Sequence, residues 1–164
     1  MRDIRFLLKT HYTESRALII GINAYKNAAP LSYACNDAAE MRDILVDEFG
    51  FPAANVTCLL DEEATRENIL RAFFRFTKDD IGLDDRIFVF FAGHGQTLTG
   101  SRGEIGFLVP HDAVLDDYST FIRWDDLTRN AELIRAKHVL FVMDACYGGL
   151  APIHPSYCKH QQAL

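Results

Sequence analysis

The chain lacks an apolar run long enough to cross a membrane. The stretch FVFFA at 88–92 falls far short of the roughly 20 residues a spanning helix needs. A basic surplus is also missing: 17 Lys and Arg stand against 23 Asp and Glu, for a net charge of −6. Nothing therefore suggests a nucleic-acid footprint, which needs clustered positive charge. Cysteines are few, at positions 35, 58, 146 and 158. None forms a CxxC pair, and the spacings fit no zinc ribbon or finger. Their even number permits two disulfides. The opening MRDIRFLLKTHY, however, has only a brief apolar run and no small-residue cleavage site, so a reducing, cytoplasmic setting is expected. No GxSxG elbow, P-loop, dinucleotide fingerprint or internal repeat is present. What remains is an ordinary globular composition, 49% apolar and 24% charged over 164 residues. That length suits one domain on a scale of about 100–200 residues each.

Apolar runs at Ala17–Ile22, Val56–Leu60, Ile87–Phe91 and Val139–Met143 read as strands covered on both faces. Helical patterns lie between them. CNDAAEMRDILVDEFG starts at a cap-like Asn36 or Asp37. It repeats apolar residues at Ala38, Met41, Leu45 and Phe49, and closes on Gly50 and Pro52. A second helix starts at Thr65 with Ile69, Phe73 and Phe76 on one side, and a third covers Trp124 to Arg135. Such alternation predicts a three-layer α/β fold with a mostly parallel central sheet flanked by helices. The expected division is an N-terminal extension or edge segment at 1–15, one domain at 16–151 and a tail at 152–164. Ligands of open α/β sheets bind beyond the carboxyl ends of the strands. Two segments are predicted as loops there, AGHG after the third strand and DACYGG after the fourth.

His94 stands between Gly93 and Gly95, and glycines let backbone amides approach a bound group. A lone histidine is often structural. Cys146 has the plain alternative of a small buried hydrophobe. Yet it sits where the fourth strand should end, near Met143, with Gly148 and Gly149 following. Cysteine attacks carbonyls as the thiolate, which needs a base or a lowered pKa. The neighbouring strand would offer His94 as that base. The pair is 52 residues apart, histidine first. Caspases share this order, with Gln-Ala-Cys-[RQG]-Gly following a histidine about 50 residues upstream. Here the nucleophile block reads Asp144-Ala145-Cys146-Tyr147-Gly148.

These blocks resemble the caspase-like cysteine peptidases of clan CD, the peptidase C14 family, and metacaspases and bacterial homologues more than animal caspases. RALIIGINAY (16–25), LSYACNDAAEM (31–41), RIFVFFAGHG (86–95), GFLVPHDA (106–113) and HVLFVMDACYGG (138–149) carry the likeness. The resemblance implies that His94 is the general base and acid and Cys146 the nucleophile. The N–H groups of Gly95 and Cys146 would form an oxyanion hole, often worth about 3 kcal/mol per donor. No third triad member is evident.

The resemblance also implies a substrate preference. Metacaspases cleave after Arg or Lys and line the P1 pocket with acids, which here would be Asp37 and Asp144. A carboxylate at 144 repels a substrate aspartate and pairs with a guanidinium. The plainer roles are a helix cap for Asp37 and a turn or histidine-orienting carboxylate for Asp144. Asp112, Asp116, Asp117, Asp125 and Asp126 are oxygen donors of the kind calcium takes. The stretch after the nucleophile lacks the acid such a site uses in some metacaspases, so no metal or other cofactor is expected. The family fold usually continues past the nucleophile with a small subunit that this sequence lacks. The expected partners are therefore a basic-P1 peptide or protein substrate and a small-subunit-like polypeptide or further chain, with no nucleic acid and no membrane. The competing reading is a caspase-fold interaction or regulatory module, inactive without that partner.

Overall fold

In the computed structural model, which describes residues 11–101 and 103–146, the apolar runs become strands β1 (Ser15–Gly21), β2 (Val56–Leu60) and β3 (Arg86–Gly100). They are followed by β4 (Gly103–Leu108), β5 (Ile122–Arg123) and β6 (His138–Cys146). The helices are α1 (Ala34–Asp47), α2 (Arg66–Phe74) and α3 (Trp124–Asn130). β1 pairs in parallel with β2 on one side and β3 on the other, and β3 pairs in parallel with β6. Parallel neighbours need crossover connections, which the helices supply. Beyond His94 the third strand changes partner: residues 95–100 run antiparallel to β4, which in turn pairs with β5.

Alternation along the strands sorts the core into two layers. Ala17 and Ile19 of β1 and Phe90 and Ala92 of β3 pack with Ala34, Ala38 and Leu45 of α1. Leu18, Ile20, Ile87, Val89 and Phe91 point to the other face, against Ile69 and Phe73 of α2 and Leu127 of α3. The result is the expected three-layer arrangement. Helix α1 lies so close to β1 that a Cβ on Gly21 would meet the Ala34 carbonyl oxygen and the Ala38 methyl, each at 2.6 Å.

Several boundaries differ from the sequence expectation. α1 begins at Ala34, with Tyr33 at its N-cap and no side-chain cap, so neither Asn36 nor Asp37 caps it. Asp37 instead lies in the first turn, where a carboxylate suits the helix dipole. α2 begins at Arg66, one residue after the expected start, because Thr65 caps it by accepting the Asn68 N–H at 3.2 Å. The helix from Trp124 ends at Asn130 and tightens into a short 3₁₀ turn, Ala131–Leu133. AGHG is not a loop but part of β3, because β4 takes over the backbone pairing where β1 leaves off. β6 likewise runs past Met143 to Cys146, because β3 pairs with it over its whole length. Ser15 already belongs to β1.

The amino-terminal ends of the strands are tied by Asp85, which is buried. Its carboxylate accepts the N–H groups of Glu14 at 3.1 Å and Gly82 at 2.8 Å. The Arg16 guanidinium lies 3.9 Å away, and the Asp85 carbonyl accepts the Lys137 N–H. The entries to β1, β3 and β6 thus meet at one residue, through its carboxylate and its backbone carbonyl. The opposite, carboxyl ends are left to the site.

Candidate active site

His94 is the last residue of the parallel part of β3 and shares the α1 face with Phe88, Phe90 and Ala92. β1 stops earlier, its Gly21 lying opposite Ala92. The segment after β1 therefore leaves the sheet and folds over the histidine. Two contacts follow. The His94 backbone N–H donates to the Tyr25 hydroxyl at 2.7 Å. On the ring, Nε2 bonds the Ala29 carbonyl oxygen at 2.8 Å. A carbonyl only accepts, so this bond assigns the proton of the neutral ring to Nε2 and leaves Nδ1 as the acceptor. The Tyr25 ring lies tilted against the imidazole, with centroids 4.7 Å apart.

That segment is itself clasped. Oδ1 of Asp61 accepts the N–H groups of Asn23 and Ala24, both at 2.7 Å. His111 Nδ1 bonds the Ala24 carbonyl at 2.6 Å, and the His111 carbonyl accepts the Lys26 N–H at 3.0 Å. The Asn27 side chain donates to Ala113 O, and Leu31 N–H closes back on Asn23 O, each at 2.8 Å. Asp61 turns the chain at the end of β2 with φ of 44°, left-handed backbone that Asp tolerates better than most residues. Burial pulls its carboxyl upward, but the Ala24 and Asn23 N–H groups, the Cys35 thiol and His111 outweigh this and hold it below the ordinary value.

The remaining residues singled out from the sequence converge on the same end of the molecule. Cα of Cys146 pairs with that of His94 in the β3–β6 register, and neighbouring strands run about 4.8 Å apart. Asp144 is exposed and lies opposite Ala92. Alternation puts it on the same face as Leu140 and Val142, which is the face carrying α1. Asp37, half-buried in the first turn of α1, belongs to that face as well. Gly95 is buried and lies opposite Leu108. Val109 N–H donates to the His94 carbonyl at 3.0 Å, so His94 and Val109 form a hydrogen-bonded pair. The next pair, Gly95 with Leu108, is then of the other kind, and its Gly95 N–H is directed away from β4.

Cys35 and Cys58 have a different character. Cys35 Sγ donates to the Gly21 carbonyl at 3.4 Å. Burial and then Asp61 raise its pKa, which favours the thiol. Burial likewise raises Cys58. Cys158 lies outside the described residues.

Three of the five acidic residues considered for calcium have other uses. Asp112 accepts the Arg66 N–H, Asp117 accepts from Ser119, and Asp125 pairs with Arg123. Among the described residues no group of three or more His, Cys, Asp or Glu is arranged to hold a metal ion. No helix among them is long and apolar enough to cross a membrane.

On the α1 face, toward the amino-terminal ends of the strands, lies a cavity of about 620 Å³ lined by Met41, Ile44, Phe88, Leu140 and Val142 among others. It has little to offer chemically, being almost wholly apolar. Among the described residues α1 packs on β1 and β3 rather than on β6, and Leu140 is 55% exposed.

The sequence singled out neither Tyr25 nor the Ala29 carbonyl nor Asp61. Tyr25 stood within the quoted RALIIGINAY block without a role.

The family model for the peptidase C14 caspase domain matches residues 14–163. Metacaspase-7 of Arabidopsis thaliana is 32% identical over 146 residues, covering 82% of this chain and 34% of the relative. Metacaspase-3 of the same plant is 28% identical over 171 residues, covering 94% of this chain and 45% of the relative. The chain thus spans less than half the length of these relatives. A crystal structure of protein GSU0716 from Geobacter sulfurreducens superposes with a TM-score of 0.67 at 24% identity, over 83% of this chain and 52% of that one. That likeness concerns the fold.

Proposed function

Because the chain belongs to the caspase-domain family of C14 peptidases, we propose that it is a cysteine endopeptidase cutting after Arg or Lys, with Cys146 as nucleophile and His94 as its base and acid. The observation that carries this reading is the pairing of Cys146 with His94 in register, combined with the Nε2 bond to Ala29 that leaves Nδ1 as the accepting nitrogen.

The chemistry follows from those positions. His94 Nδ1 takes the thiol proton of Cys146, and the thiolate adds to the peptide carbonyl. The S–C bond forms as the carbonyl π pair moves onto oxygen. The N–H groups of Gly95 and Cys146 would receive that oxyanion once released from the β3–β6 ladder, in which Cys146 pairs with His94. Collapse breaks the C–N bond, and the proton held on Nδ1 goes to the leaving amine. Water then loses a proton to His94 and attacks the thioester. The C–S bond breaks, the acid product leaves, and the sulfur regains its proton. Asp37 and Asp144 share the α1 face and would receive a basic P1 side chain through charge-assisted hydrogen bonds.

Among the described residues β6 pairs only with β3. That edge, exposed Leu140 and the adjoining apolar cavity support a small-subunit-like polypeptide as partner, one that would continue the sheet.

Peptides with Arg, Lys, Asp and Ala at P1 test this reading, assayed with the chain alone and with a small-subunit chain from a relative. Turnover of Arg and Lys peptides that disappears in Cys146→Ala is the expected result. Turnover of basic peptides retained by Cys146→Ala would overturn the nucleophile, and a preference for Asp would overturn the specificity.

A further inference from the structure

We infer that Tyr25 is a positioning residue for His94, holding it from the backbone side while Ala29 holds its ring. For its kinetic part the inference rests on the peptidase reading above.

Three independent observations support it. The first is the hydrogen bond itself. At 2.7 Å the Tyr25 hydroxyl accepts the His94 N–H. Val109 bonds the His94 carbonyl, so a regular ladder would have the His94 N–H return the bond to Val109. It turns instead to a side chain from the far side of the site. The second is the ring contact, 4.7 Å between centroids at an angle of 41°, which limits rotation of the imidazole about its own bonds. The third is Gly93. A Cβ there would stand 2.6 Å from the Tyr25 oxygen and 3.0 Å from the Phe91 ring. The residue before His94 must therefore lack a side chain for the tyrosine to reach its place, which gives the first glycine of AGHG a reason.

The tyrosine is itself fixed. It follows Asn23 and Ala24, whose N–H groups end on Asp61, and precedes Lys26, tied to His111. Burial raises the Tyr25 phenol well above its ordinary pKa, with the His94 N–H only partly opposing this. The hydroxyl therefore stays neutral across the working range and adds no charge beside the imidazole. It neither touches substrate nor exchanges a proton in the reaction; it acts through His94. An imidazole free to swing would spend part of its time with Nδ1 turned from the sulfur, and a misplacement of about 1 Å at a reacting group can cost 100-fold in rate.

The test uses the full chain in three variants: Tyr25→Phe, which keeps the ring and deletes the hydroxyl; Gly93→Ala, which displaces the hydroxyl without deleting it; and the double variant. Kinetics on an Arg-P1 peptide should show kcat lower by about 10–100-fold with KM within twofold. Because both changes break one contact, the double variant should be little worse than either single one. The second readout needs no activity. Nitrogen-15 shifts of the His94 ring, read at a pH where it is neutral, should report the Nε2–H tautomer in the parent and an averaged pair in the variants. Unchanged kcat and unchanged tautomer in Tyr25→Phe would overturn the inference, as would multiplicative losses in the double variant. A parent without peptidase activity both alone and with the small-subunit chain, whose tautomer still depends on Tyr25, would sink the peptidase reading and keep the positioning. Should Tyr25→Phe not fold, Gly93→Ala gives the same readouts.

Discussion

Asp61 Oδ1 accepts the backbone N–H of Ala24 at 2.7 Å, and the same oxygen takes the N–H of Asn23 at 2.7 Å. Those donors and His111 hold the Asp61 carboxyl below its ordinary value, despite an opposing effect of burial. A carboxyl lowered in the fold stabilises it where ionised. Its contribution is complete above the unfolded value of about 3.9 and disappears as pH falls through the lower folded value. Melting temperatures of the parent and Asp61→Asn should therefore differ by a constant amount from pH 7 to about pH 5, and converge below the ordinary carboxyl value. Asn tolerates the left-handed backbone at 61, so the comparison isolates the charge. A gap that stays level down to pH 2.5 would mean that the carboxylate charge does not secure the clasp over His94.

Asp37 and Asp144 come from different elements, α1 and β6, yet share one face beyond the strand ends. A guanidinium held between them would lose charge-assisted bonds to either substitution. Asp144→Asn and Asp37→Asn should each lower kcat/KM for an Arg-P1 peptide by about 10-fold or more, at about 1.5–3 kcal/mol per charged hydrogen bond. The loss should appear mainly in KM, and an Ala-P1 peptide should be little affected. Equal losses on Arg and Ala peptides would assign the two carboxylates a structural role instead.

Local chemistry explains what could be read in advance. β2 was legible to the residue, Val56–Leu60, because a short apolar run lies between Asn55 and Asp61. The start of α2 was legible to within one residue because the signal is local, the Thr65 bond to Asn68 spanning only three residues. The placing of His94 and Cys146 on neighbouring strands was legible because both stand at glycine-flanked ends of apolar runs. AGHG misled, since its strand character comes from β6 and, at Gly95, from β4, and a pairing partner is not written in the segment itself. The start of α1 misled because Asn36 and Asp37 have capping chemistry, while the helix begins earlier, at the Ala34 that meets Gly21. The grip on His94 was invisible for a deeper reason. One contact is a backbone carbonyl, which any residue at 29 would supply, and the path of that loop depends on Asp61 and His111, far away in the chain.

Asp85 stands at the other end of the strands, and its removal should cost stability without touching the site. Asp85→Ala leaves the N–H groups of Glu14 and Gly82 without their acceptor and Arg16 without the nearby charge. Breaking a buried pair by deleting one partner costs about 3–5 kcal/mol, and the half-buried, 3.9 Å Arg16 contact puts this case at the lower end. Urea unfolding should show a loss of about 3 kcal/mol at an unchanged m-value. Asp85→Asn keeps an acceptor and should lose less. A loss below about 1 kcal/mol for the alanine variant would show that the strand entries hold without the carboxylate.

The cysteines allow a test that needs no substrate. Thiolate, not thiol, reacts with iodoacetamide, so the order of alkylation reports which sulfur is ionised. Burial and Asp61 raise Cys35, and burial raises Cys58, so both should be largely protonated at pH 7. On the proposed chemistry Cys146 is ionised by the imidazole of His94 and should react first. Limited alkylation at pH 7 followed by peptide mass mapping should find the Cys146 peptide modified well before those of Cys35 and Cys58. His94→Ala should remove that lead while leaving the slow rates at 35 and 58 unchanged, because Cys35 is protected by Gly21 and Asp61 rather than by the histidine. Should Cys35 react as fast as Cys146 in the parent, the thiol beside Asp61 would be the ionised one, and the assignment of the nucleophile would have to move.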